Sequence, residues 1–199
     1  MELNVQELAI SRGDLVLATD LSFAVRDGGA LVVTGENGSG KSTLLRALAG
    51  LHPPDAGTVT LRVEGEAAPV GEASHYLGHQ NAMKADLSVR ENLLFWAGAL
   101  DGAEAAIGEA AGPLGIEGLL DLPYHYLSAG QRRRAALARL WVAPRPLWLL
   151  DEPTAALDAR SEVAVREMIE AHRAEGGMVV AATHVDLGLA DAASLAMGR

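Results

Sequence analysis

Two clusters of residues in this chain have the types and spacing for phosphate chemistry. The first is Gly35-Glu36-Asn37-Gly38-Ser39-Gly40-Lys41-Ser42, which fits G-x-x-x-x-G-K-[ST] at every defined position. Glycines at these places let backbone N–H groups turn inward around an anion, and a helix opening directly afterwards adds the positive end of its dipole. Lys41 would bridge β- and γ-phosphates, and the Ser42 hydroxyl would hold Mg²⁺. The bland alternative is a turn joining a strand to a helix, with the lysine at its solvated edge. Strand, spacing, lysine and hydroxyl all agree against it. By itself the loop specifies a nucleoside triphosphate and nothing finer.

The second cluster closes an apolar run, Leu147-Trp148-Leu149-Leu150-Asp151-Glu152-Pro153. Asp151 would orient Mg²⁺ or its water ligands, and Glu152, one residue on, could accept a proton from an attacking water. Both carboxylates lie beside the phosphate loop if the two strands are neighbours in a sheet. Two acids at a strand end are commonly just the polar start of a loop, so their weight depends on the company they keep.

These side chains need elements to position them. Residues 3–10 begin with apolar alternation and Leu15 to Leu17 with Leu21 to Val25 continue a strand-like apolar pattern, which predicts an antiparallel strand group at the N-terminus. Ala30 to Thr34 reads as a strand buried on both faces, leading straight into the glycine-rich loop. Leu44, Leu45, Leu48 and Leu51 recur at helical spacing, Pro53-Pro54 stops that helix, and Thr58 to Val63 reads as a second strand. From Ala82 to about Pro123 the texture changes to Ala, Gly, Leu and Glu, which predicts a mostly helical insertion. Ser128 to Ala143 is expected to be a helix, Leu147 to Leu150 a strand, Ser161 to Ala174 a helix and Met178 to Thr183 a strand. That alternation implies a parallel sheet covered by helices, with functional residues at the strands' carboxyl ends.

Composition bounds the rest. At 199 residues, 49% hydrophobic and 21% charged, the chain fits one globular domain and not a disordered or fibrous one. With no cysteine, disulfides and thiolate metal sites are excluded. Apolar runs stop well short of the roughly 18 residues a membrane-spanning helix needs, and the acidic N-terminus lacks the features of a signal peptide. The net charge of −10 would repel a polyanion. Arg132, Arg133 and Arg134 form the one dense basic run, and no nucleic-acid partner is expected.

Leu127-Ser128-Ala129-Gly130-Gln131 resembles the LSGGQ signature of ATP-binding-cassette ATPases. The resemblance extends along nearly the whole chain in the family's order. Gln80 matches the glutamine that joins the two subdomains, Ala156-Leu157-Asp158 the segment named for its aspartate, and His184 the switch histidine. It implies an α/β fold with a P-loop NTPase parallel-sheet core over 1–81 and 144–199, carrying the antiparallel β group, and a helical subdomain over 82–143. It also implies an ATPase with ATP and Mg²⁺ as ligands. Glu152, His184 and Gln80 would be catalytic. Ser42, Gln80 and Asp151 would attend the metal. Gly35 through Ser42 with Thr43 would bind nucleotide, and Ser128, Gly130 and Gln131 would grip the γ-phosphate held by the opposite copy in a head-to-tail dimer. Where the family stacks adenine on an aromatic residue upstream of the loop, Ala9 to Gly13 has none, and Arg12 would stack its guanidinium instead.

Within the family, Tyr76 to Trp96, Leu127 to Trp148 and Glu175 to Val180 resemble the heme exporter ATPases of bacterial cytochrome c maturation. That resemblance implies an integral-membrane transporter subunit and cytochrome c maturation proteins as partners. It implies a peripheral location on the cytoplasmic face of the bacterial inner membrane. Ending at Arg199, the chain is expected to be a minimal cassette. Asn81 to Val89 is expected to dock the partner's cytoplasmic helix. The rival readings are another transporter's ATPase, a soluble cassette protein of DNA repair, a translation factor and a small-molecule kinase. The interval from Lys41 to Leu127 holds neither coiled coil nor zinc module, only one cassette is present, and a kinase would lack the signature.

Overall fold

The computed structural model describes residues 1–198; Arg199, on which the expectation of a minimal cassette turns, lies outside the described residues. In chain order the elements are β1 (Glu2–Arg12), β2 (Leu15–Arg26), β3 (Ala30–Thr34), α1 (Lys41–Leu48), β4 (Ala56–Val63), β5 (Glu66–Ala68), β6 (Ser74–Leu77), α2 (Val89–Ala99), α3 (Ala106–Ala111), α4 (Ala129–Val142), β7 (Leu147–Asp151), α5 (Ala159–Ala174), β8 (Met178–Ala182) and β9 (Ala193–Ala196). They group into two compact units. The first takes Met1–Tyr76, Arg145–Glu152 and the residues from Ile169 on; the second takes Leu77–Pro144 and Pro153–Met168. On the sequence expectation residues 144–199 all stay with the sheet, whereas the structure groups Pro153–Met168 with the helices.

The first unit holds an antiparallel sheet in the order β2-β1-β4-β5 and a second sheet in the order β6-β7-β8-β3-β9. In the latter, β7 with β8, β8 with β3 and β3 with β9 all run parallel. Two features of the topology were left open by the sequence reading. The strand that follows α1, β4, pairs antiparallel with β1 and does not return beside β3. And β3 and β7 are not neighbours, because β8 lies between them.

Every residue of β7 and β8 is buried, as near-continuous apolar runs require in a sheet covered on both faces. Alternate residues divide between the faces. Leu147, Leu149, Met178, Val180 and Ala182 join one core with Leu44, Leu45 and Leu48 of α1 and with Leu3, Val5, Leu8 and Ile10 of β1. Within β1 the apolar phase shifts between Val5 and Leu8, where the register breaks and Glu7 takes a positive φ of 50°. The bulge keeps both halves of a long strand facing the same core. Leu44 and Leu45 are fully buried, and truncating either to alanine would cost about 2–5 kcal/mol. On the sheet's other face the Trp148 ring stacks on His172 of α5, 3.9 Å between centroids and 4° from parallel.

In the second unit α4 packs against both α2 and α3, and Leu93 of α2, Ile116 and Ala135 of α4 are at zero exposure. Both α2 and α4 open with reciprocal caps, Ser88 with Glu91 and Ser128 with Gln131. Such a cap satisfies two N–H groups that the helix itself leaves without partners.

Candidate functional site

The phosphate loop runs from the end of β3 into the first residue of α1. Gly40 caps that helix at φ 102° and, being glycine, offers no side chain to the first-turn N–H groups. Gly35 sits at φ 141°, and a Cβ there would collide with the Met197 carbonyl. These two positions demand glycine for different reasons, one of backbone angle and one of space as well. Lys41 is 7% exposed, and its Nζ donates to the carbonyl oxygens of Gly35 at 2.7 Å and Glu36 at 3.0 Å. The ammonium is thus held back across the mouth of the loop. Ser39 Oγ is buried without a hydrogen-bond partner among the described residues, an arrangement that suits an anionic ligand's oxygen.

Beside the loop is a cavity of about 560 Å³, lined by Leu15, Val16, Leu17, residues 35–39 and Met197. Its volume is in the range for small-molecule sites. Sequence reasoning missed these aliphatic walls. The signal was the run Leu15-Val16-Leu17, where Leu15 and Val16 stay 37% and 59% exposed although apolar. Arg12, proposed from the sequence as a stacking group, is exposed at the end of β1 and is not among the lining residues.

At the carboxyl end of β7, Asp151 is 4% exposed and Glu152 takes a φ of 47°. The Glu152 N–H donates to the Ala182 carbonyl at 2.8 Å, and the Thr183 N–H donates to the Val33 carbonyl at 3.1 Å. These two bonds stitch the ends of β7, β8 and β3 together. They carry Glu152, Thr183 and the start of the phosphate loop to one edge of the sheet, although β7 and β3 are not adjacent. His184 Nδ1 lies 2.9 Å from Glu152 Oε1, and the Thr183 hydroxyl donates to Glu152 Oε2 at 3.3 Å. With the imidazole hydrogen on Nδ1, His184 can donate to this carboxylate.

The remaining sequence candidates belong to the second unit. Ser128 Oγ accepts from the Gln131 N–H at 3.3 Å while Gln131 Oε1 accepts from the Ser128 N–H at 2.9 Å. The cap engages one lone pair of the hydroxyl and leaves its hydrogen to donate. Gly130 lies where a Cβ would come within 2.8 Å of the Ala156 carbonyl, and Ala156 itself holds a positive φ of 63°. The signature and the segment named for its aspartate therefore touch through backbone. Asp158 accepts from the Ser161 N–H at 2.8 Å, and that bond holds its carboxyl below the usual range. Gln80 is exposed on the loop after β6.

The ABC transporter family model matches residues 18–155. The chain is 51% identical over 194 residues to the cytochrome c biogenesis ATP-binding export protein CcmA of Brucella abortus, covering 98% of this chain and 90% of that one. It is 50% identical over 203 residues to the protein of the same name from Agrobacterium fabrum, covering 99% and 95%. An ABC transporter ATP-binding protein from Pyrococcus furiosus superposes with a TM-score of 0.85 at 21% identity, over 99% of this chain and 98% of that one. A bacterial Atm1-family ABC exporter with ATP bound gives 0.83 at 22%, over 99% of this chain and 37% of that one. At such identities the solved structures speak to the fold alone.

Proposed function

From the premise that the chain belongs to the ABC transporter family and is an ATP-binding, ATP-hydrolysing transporter subunit, we propose that it powers the export step of cytochrome c biogenesis. The observation that carries this branch is half identity, over nearly the full length of both chains, to two cytochrome c biogenesis ATP-binding export proteins.

In the proposed cycle the loop N–H groups and Lys41 hold the β- and γ-phosphates, and the aliphatic wall of Leu15 to Leu17 lies along the rest of the nucleotide. Ser42 and Asp151 supply hard oxygen donors of the kind Mg²⁺ takes alongside substrate phosphates, with Gln80 as a further metal or water contact. The ion would neutralise charge on the phosphates. Glu152 receives the proton of the attacking water, and His184 and Thr183 hold its carboxylate in place for that transfer. Ser128, Gly130 and Gln131 serve the nucleotide of a second copy, so turnover requires a head-to-tail dimer.

No helix among the described residues is long and apolar enough to cross a membrane. In this reading an integral-membrane subunit brings the ATPase to the cytoplasmic face of the inner membrane. The segment Asn81 to Val89 is the docking surface in this reading: Lys84 Nζ lies 4.7 Å over the ring of Phe95, which is 48% exposed. Buried Asn92 pins that stretch, accepting from the Lys84 N–H at 2.7 Å and donating to the Lys84 carbonyl at 3.0 Å.

Two measurements test the branch together. Deleting the gene should abolish c-type cytochromes, and affinity purification of the Glu152→Gln variant from membranes should recover an integral-membrane subunit. Intact cytochromes with a different membrane partner would assign the chain to another transporter. Recovery as a soluble monomer with normal turnover would remove the transport reading altogether.

A further inference from the structure

Arg133 lies in the second turn of α4 and is only 4% exposed. A buried guanidinium is costly unless its hydrogens are satisfied, and its planar fork can satisfy them only in fixed directions. Here Nη1 donates to the Gly78 carbonyl and to the Asn81 side-chain oxygen, both at 2.9 Å, while Nε donates to the Pro153 carbonyl at 3.2 Å. The two acceptors on Nη1 straddle Gln80. Pro153 is the residue after Glu152. The Asn81 amide in turn donates to the Tyr124 hydroxyl at 3.0 Å, and that hydroxyl donates to the Arg132 carbonyl at 3.2 Å, which returns the chain of bonds to α4. On the far side of the same loop, Trp96 Nε1 donates to the Ala82 carbonyl at 3.1 Å, and Ala82 holds a positive φ of 53°. Gln80 is thus an exposed residue on a loop pinned before and after it.

We infer that Arg133 is a positioning residue for turnover: through one guanidinium it fastens the loop carrying Gln80 and the peptide following Glu152 to the helix that begins with the signature. This rests on the reading in which Gln80 and Glu152 do the phosphate chemistry. It adds the part that ties their placement to α4. The Gly78, Asn81 and Pro153 acceptors all lie outside the phosphate loop. Its loss should therefore leave nucleotide binding at Lys41 intact and slow the step that needs Gln80 and Glu152 in register. Lysine at this position keeps the charge, but a compact ammonium lacks the fork that reaches Pro153 and the Gln80 loop together.

The test uses the full chain with its membrane partner, with Arg133→Lys and Arg133→Met beside Asn81→Leu, a change of similar shape that removes one Arg133 acceptor together with the amide donor to Tyr124. Arg133→Met should lower kcat by roughly ten- to a hundredfold, since small misplacements of reacting groups have effects of that order, with KM for ATP moving less than about threefold. Arg133→Lys should fall in between. Amide exchange should accelerate over residues 78–83 and not over the phosphate loop, and Arg133→Lys combined with Asn81→Leu should be no slower than the worse single variant. Wild-type kcat in folded Arg133→Lys and Asn81→Leu proteins would overturn the inference, as would a loss spread equally over kcat and nucleotide binding. If Arg133→Met does not fold, the other two variants decide. Normal turnover in Glu152→Gln would instead bring down the underlying reading, which separates the two failures.

Discussion

His184 Nδ1 and Glu152 Oε1 stand 2.9 Å apart, the imidazole 65% exposed and the carboxylate 18% exposed. A flexible glutamate at a strand end would otherwise sample several rotamers. Here it is gripped on one oxygen by His184, on the other by Thr183, and its backbone is fixed to Ala182. His184→Ala should therefore lower ATP turnover by about a hundredfold or more, within the range for losing acid–base machinery, with ATP binding nearly unchanged. Steady-state kinetics set against equilibrium nucleotide binding checks it; equal losses in both would mean that His184 serves binding alone.

Gly130 owes its identity to the Ala156 carbonyl. A methyl at Gly130 would approach that oxygen to 2.8 Å in a backbone stretch already strained at Ala156. Gly130→Ala should destabilise the protein by about 1–3 kcal/mol, read from denaturant midpoints, and should lower turnover more than stability alone explains. An unchanged midpoint with full activity would show that the two segments separate freely.

His172 makes stability depend on pH. Burial pushes its imidazole down to about 4, against backbone hydrogen bonds at Met178 and Pro146 that pull the other way. Between pH 6.5 and about 4 the unfolded chain takes up a proton that the native chain refuses, so stability falls as pH falls through that window. Above 6.5 the effect is absent. Replacing His172 by phenylalanine keeps a ring on Trp148 and removes the titration. Wild type should lose more thermal midpoint than His172→Phe on going from about pH 7.5 to about pH 5. Equal losses would place the pH sensitivity elsewhere.

Much of this was legible in local sequence. The phosphate loop, the Ser128 cap and the all-buried β7 are each written within a few consecutive residues, where spacing and dihedral demands act directly. Sheet order is not local, so nothing near β3 or β7 announced that β8 would come between them, or that β4 would leave for the antiparallel sheet. The cavity wall joins Leu15 to Leu17 of β2 with Met197, just after β9, a juxtaposition of residues far apart in the chain. Arg133 read only as the middle of a basic run, because helical periodicity marks which face is apolar and cannot show that a charged side chain finds buried carbonyls to bond.

The central claim is that Lys41 of one copy and Ser128 of another act on the same triphosphate. Light scattering on Glu152→Gln with and without ATP tests it most directly, with Ser128→Arg added in the same chain. Mass should double with ATP only, and the added arginine should keep the protein monomeric while a fluorescent ATP analogue still binds. A monomer at saturating ATP, or a dimer indifferent to Ser128→Arg, would contradict the account.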